Sequence, residues 1–198
     1  IMKGLIIGET YTLHEEVSAE GYVKASDITF TFKEDQQKTI MIDKIVSVSK
    51  TDVTGEKELE GAHIQVTDED GKIVDEWIST KESHHINNLV EGKIYTLTET
   101  TAPDGYIKAE SITFEVSTDK EDQFIVMKDK QVSFKKIDQN GHVVVGAKLQ
   151  IVEKDSQKVI ETFVTDGNIY YSKNVEIGKT YILQEIETPE NYIKADDI

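Results

Sequence analysis

Apolar and polar residues alternate with a period of two in short runs along most of the chain, the spacing of strands with one face turned to a core. Between residues 45 and 130 seven such runs stand near 45–51, 61–67, 72–79, 84–90, 93–100, 110–117 and 123–129. The turn-forming stretches DVTG (52–55), DEDG (68–71), APDG (102–105) and TDKED (118–122) punctuate them. Helical periodicity is weak throughout. Many short strands with frequent turns predict an all-β sandwich. Gly105 falls where a turn needs positive φ, and Asn191, which tolerates left-handed backbone, takes the corresponding place later in the chain.

The same pattern recurs. Residues 7–28 (IGETYTLHEEVSAEGYVKASDI), 91–112 (EGKIYTLTETTAPDGYIKAESI) and 177–198 (IGKTYILQEIETPENYIKADDI) repeat at offsets of 84 and 86. MIDKIVSVSKTD (41–52) and MKDKQVSFKKID (127–138) repeat at the same 86. A period this long suits a small domain in a tandem array rather than a solenoid unit. We divide the chain into the end of one repeat (1–44), a complete repeat (45–130) and a third that stops before its last strands (131–198). With no Pro/Gly/Ser-rich linker between repeats, a stiff rod is expected.

One irregularity recurs with the repeat. Val46, Val48 and Lys50 share a strand face, so a lysine ends an apolar stripe, and Val132, Phe134 and Lys136 repeat the arrangement. Tyr95, Leu97 and Glu99 share another face, as do Tyr181, Leu183 and Glu185, and Tyr11, Leu13 and Glu15. Ile125, Met127 and Asp129 line up, as do Met41 and Asp43. Each full repeat thus supplies one Lys, one Glu and one Asp at the ends of inward faces. A lone lysine there would ordinarily snorkel to water. Three such groups buried together would instead shift one another's protonation. A neutral lysine is a nucleophile and a polarised carboxylic acid its electrophile, the product being a side-chain amide formed with loss of water and no cofactor.

The net charge of −16, with Lys as every one of the 22 basic residues, argues against nucleic acid and anionic membranes as partners. There is no cysteine, so disulfides cannot staple the repeats. No apolar run is long enough to span a bilayer. His84 and His85 point oppositely on a strand and cannot share one metal, DEDG reads as a hairpin turn rather than a calcium loop, and Trp77, aligned with Phe163, reads as core rather than a sugar platform. No metal site is expected.

KTDVTGEKELEGAHIQV, YTLTETTAPDGYIKAESITFEV and IVMKD resemble CnaB-type (SpaA-like, prealbumin-like) repeat domains of Gram-positive surface adhesins and pilins. The shared features are a Lys before a D-x-x-G turn, L-x-G-A at Leu59, Gly61 and Ala62, and Y-x-L-x-E-x-x-A-P-x-G-Y at 95–106. The third copy departs to TPENY and the first to VSAEGY. The resemblance implies tandem Greek-key, inverse Ig-like sandwiches and a self-formed isopeptide bond. Lys50 would be nucleophile, Glu99 catalytic acid and Asp129 acceptor, with single-turnover chemistry and no true enzyme activity. Lys136 and Glu185 lack an acceptor in this sequence, while Glu15 and Asp43 lack a lysine strand. The expected function is a structural stalk on a Gram-positive cell wall, its partners being neighbouring repeats and, through a tip domain not present here, a host matrix protein or glycan. The alternative is an adhesive module whose own loops bind host protein or glycan.

Overall fold

The computed structural model describes residues 4–33, 38–119 and 121–198. Lys120, in the expected 118–122 turn, lies outside them, as do residues 1–3 and 34–37 of the first repeat. Fourteen strands are formed among the described residues: β1 (Thr10–Leu13), β2 (Ile28–Thr31), β3 (Val46–Asp52), β4 (His63–Thr67), β5 (Ile73–Ile78), β6 (His84–His85), β7 (Ile94–Thr101), β8 (Ile112–Glu115), β9 (Gln123–Asp129), β10 (Ser133–Phe134), β11 (Lys148–Glu153), β12 (Val159–Val164), β13 (Tyr170–Tyr171) and β14 (Tyr181–Glu187). No helix among these residues is long and apolar enough to cross a membrane.

The span 45–130, expected as a complete repeat, is a two-sheet sandwich. One sheet has the order β5-β4-β7-β8 and the other β6-β3-β9. Between them Val46, Val48, Ile64, Val66, Leu97 and Met127 are almost wholly removed from water. Alternation puts these side chains inward, and their burial is the main favourable contribution to the fold. The first and last strands of the repeat, β3 and β9, pair in parallel with Val46 opposite Gln123 and Lys50 opposite Met127. They therefore end side by side, at Asp52 and Asp129.

The predicted strand over 84–90 reduces to the two residues of β6. Asn88 adopts left-handed backbone (φ 60°), which a strand cannot continue, and residues 86–90 instead loop inward to bury Ile86 and Leu89. The 61–67 strand likewise starts at His63, because Gly61 sits at φ 91°. Gly105 (φ 81°) and Asn191 (φ 69°) both take the left-handed turn conformation.

In the third repeat β11, β12 and β14 form one sheet and β10 pairs with β13. β10 has two residues where β3 has seven. In the first repeat β1 and β2 form a hairpin.

Candidate functional site

Lys50 is placed by β3, Glu99 by β7 and Asp129 by β9, each at an inward position where the apolar stripe of its strand ends. All three side chains are buried, with exposures of 2%, 0% and 0%. The Lys50 Nζ donates a hydrogen bond to Asp129 Oδ1 and lies 3.0 Å from Glu99 Oε1. β3 and β7 belong to different sheets, so the trio spans the sandwich.

Glu99 is held from behind. Its Oε2 accepts a 2.6 Å hydrogen bond from the backbone N–H of Ala109, leaving Oε1 facing the ammonium. The same tether recurs at Glu185, from Ala195 N at 2.7 Å, and at Glu15, from Ala25 N at 2.7 Å. This backbone clamp comes from the Y-[IV]-K-A segment after each turn, whose alanine the sequence reading passes over. Lys50 is fixed by its own backbone, with its N–H bonded to Glu58 Oε2 at 2.9 Å and its carbonyl to Leu59 N at 2.7 Å.

Burial pushes the Asp129 carboxyl up to about 7, against the lowering effect of the Lys50 hydrogen bond and charge, and the neighbouring Glu99 raises it further. Desolvation thus outweighs the nearby cation. Asp129 Oδ2 and Glu99 Oε1 are buried without a hydrogen-bond partner among the described residues. Glu99 Oε1 still faces the Lys50 ammonium at 3.0 Å, and a buried oxygen without a hydrogen bond is costly in a finished core.

In the third repeat Lys136 Nζ bonds Glu185 Oε2 at 3.0 Å, with side-chain exposures of 17% and 2%. In the first, Glu15 is half-buried, while Asp43 is exposed on the irregular segment before β3.

Two further ionic groups escape the sequence reading. Lys44 is 2% exposed, pairs with Glu91 at 3.3 Å and donates to the Ser117 and Asp119 carbonyls. Asp75, on β5, accepts from His84 Nε2 (2.9 Å) and Asn87 N (2.7 Å). These bonds hold the Asp75 carboxyl below the ordinary range, despite the opposing, largest effect of desolvation. His84 also stacks on Trp77 with ring centroids 4.0 Å apart, so Trp77 is half-buried against the core edge. His85 points outward, as alternation requires. Asp68 caps the DEDG hairpin turn, accepting from Asp70 N and Lys72 N.

A profile of the SpaA prealbumin-like fold domain matches residues 44–131 and again 130–198. The chain therefore belongs to the SpaA family of prealbumin-like fold domains. Among solved structures, the Bacillus anthracis TIE protein is 21% identical over 96% of this chain and 38% of its own, with a TM-score of 0.35. The Streptococcal ancillary pilin is 16% identical over 98% of this chain and 71% of its own, with a TM-score of 0.41. The shaft pilin SpaA of Lactobacillus rhamnosus GG is 14% identical over 78% of this chain and 91% of its own, with a TM-score of 0.36. The chain thus spans well under half the length of the Bacillus anthracis protein. No curated protein matches it.

Proposed function

We propose that the chain is a run of stalk repeats from a Gram-positive surface protein, whose complete repeat locks itself with an isopeptide bond between Lys50 and Asp129. The observation that carries this reading is the contact of a buried lysine with two buried carboxyls, one of them held protonated to about pH 7. As a permanent ion cluster, the arrangement would pay for the desolvation of three ionisable groups. As reactants, the same groups are correctly matched.

The Lys50 ammonium passes a proton to Glu99 Oε1, 3.0 Å away. The freed amine attacks Cγ of the neutral Asp129 carboxyl, whose oxygen the protonated Glu99 polarises. Nζ–Cγ forms, the Cγ–OH bond breaks, and the hydroxyl leaves as water with the proton relayed through Glu99. The amide removes two charges from the core. By the chain-entropy relation for disulfides, a link closing 79 residues stabilises the fold by about 4.5 kcal/mol.

The repeats would be each other's partners, extracellular and arranged in series, with domains 1–44, 45–130 and 131–198 as successive units. Lys136 and Glu185 would be the equivalents in the third unit, and Glu15 and Asp43 those in the first. Peptide mapping after trypsin tests the reading. A branched peptide joining Lys50 to Asp129 is expected in the parent and absent in Lys50→Ala and Asp129→Ala. Glu99→Ala should form it about 10²–10⁴-fold more slowly, the usual weight of a general acid–base group. Linear peptides alone from the parent would sink the proposal.

A further inference from the structure

We propose that the loop following the short fourth strand of each repeat is a receptor for the glycine turn of the preceding repeat, and that a carboxylate at the same place in each, the part-buried Asp75 or the buried Glu161, shapes it. The two joints in this chain are built alike. At the first, Gly21 N donates to Asn87 Oδ1 at 2.8 Å, and the Gly21 backbone lies on His85, whose Cβ is 3.4 Å from where a Gly21 Cβ would stand. At the second, Gly105 lies on Tyr171, 3.5 Å from the corresponding Cβ, and Lys173 pairs with Asp104 of the same turn. The residue two positions after each glycine bonds backbone to backbone to the last residue of its own repeat, beside the joint, Val23 N to Lys44 O (2.9 Å) and Ile107 N to Lys130 O (2.8 Å). Both glycines hold left-handed backbone, at φ 79° and 81°, which side chains rarely adopt, so glycine favours the turn that reaches the receptor loop.

Both receptor loops are irregular, and an irregular loop needs its polar groups satisfied from within. Asp75 does this at the first joint, accepting from His84 Nε2, Asn87 N and Asn87 Nδ2. Glu161, at the equivalent place on β12, does it at the second. Its Oε2 accepts from the Tyr170 hydroxyl, and its Oε1 from Ser172 Oγ, Lys173 N and Asn174 N. A stacked aromatic pair closes each clamp, Trp77 on His84 and Phe163 on Tyr170. The residues that touch the incoming turn, His85, Asn87, Tyr171 and Lys173, are thus neighbours of, or identical with, the residues the carboxylate holds. The partner this surface fits is a left-handed glycine turn with a β-branched residue two positions on. The device fixes the angle between repeats and is independent of the fate of Lys50.

The chain has no cysteine, so paired spin labels can be placed freely. Labels at T12C and K72C span the first joint, and T113C and K154C the second. Distance distributions by double electron–electron resonance should be narrow across both. Asp75→Ala should broaden the first and leave the second, and Glu161→Ala the reverse. Should either variant fail to fold, the surface substitutions Asn87→Ala and Tyr171→Ala take its place, with broadening expected at the first and second joint respectively. A folded Asp75→Ala or Asn87→Ala protein with an unchanged first joint would overturn the proposal. So would a substitution that broadens both joints equally.

Discussion

A carboxyl that keeps its proton to about pH 7 makes the chemistry of Asp129 depend on pH in a defined direction. Before the bond forms, Asp129 in the fold binds its proton more tightly than in the unfolded chain, where its pKa is about 3.8. The folded state therefore holds the extra proton between these values, and the unlinked repeat loses stability as pH rises through that window, with no further loss above it. Bond formation needs the neutral acid. In freshly refolded chain its rate should be highest below about pH 7 and fall as Asp129 ionises, followed by the appearance of the branched peptide against time. A rate that climbs steadily to pH 9 would mean that lysine deprotonation alone controls the step. The trio was legible in the sequence because strand alternation fixes which side chains face inward, and Lys50, Glu99 and Asp129 each occupy such a position. The tether from Ala109 was missed, since a backbone N–H carries no chemistry in its own residue type and only the recurring Y-[IV]-K-A segment marks it.

At the scale of elements, alternation located every strand of the complete repeat but overextended the fourth. The run 84–90 carries apolar residues that serve a loop as well as a strand: Ile86 and Leu89 are buried from irregular backbone. That misreading concealed the Asp75 clamp, because its partners lie on the loop, even though alternation puts Asp75 on the same strand face as Trp77. The clamp has a measurable weight. Glu161→Ala would strip one acceptor from four donors, and stability should fall by about 1–3 kcal/mol, the cost of leaving buried polar groups unmet. Leu97, with 0% exposure between the sheets, should cost about 2–5 kcal/mol on substitution by alanine. Both are readable by denaturant titration, best in a Lys50→Ala background where no covalent link masks unfolding. A loss under about 0.5 kcal/mol for Glu161→Ala, the range of ordinary surface changes, would show that the receptor loop holds its shape unaided.

For the whole molecule, what matters is the path of tension. A pull along the chain enters the complete repeat at the start of β3 and leaves at the end of β9, and these strands lie parallel and adjacent. Without a link the load shears their hydrogen bonds and then unravels everything between. With Lys50 joined to Asp129 the load passes from one strand to the other, and the 78 residues between them, 51–128, carry none of it. Force spectroscopy on the parent should therefore lack about 270 Å of extension that Lys50→Ala releases, at ~3.4 Å per residue. Equal extensions in both would place the unfolding of the repeat outside the covalent tie. All of this rests on one bond, and the intact mass of the purified chain reports it directly. A self-locked repeat gives a mass lower than the sequence mass by one water, with the loss abolished in Asp129→Ala. A parent mass equal to the full sequence mass would mean that Lys50, Glu99 and Asp129 form a buried ion cluster and nothing more.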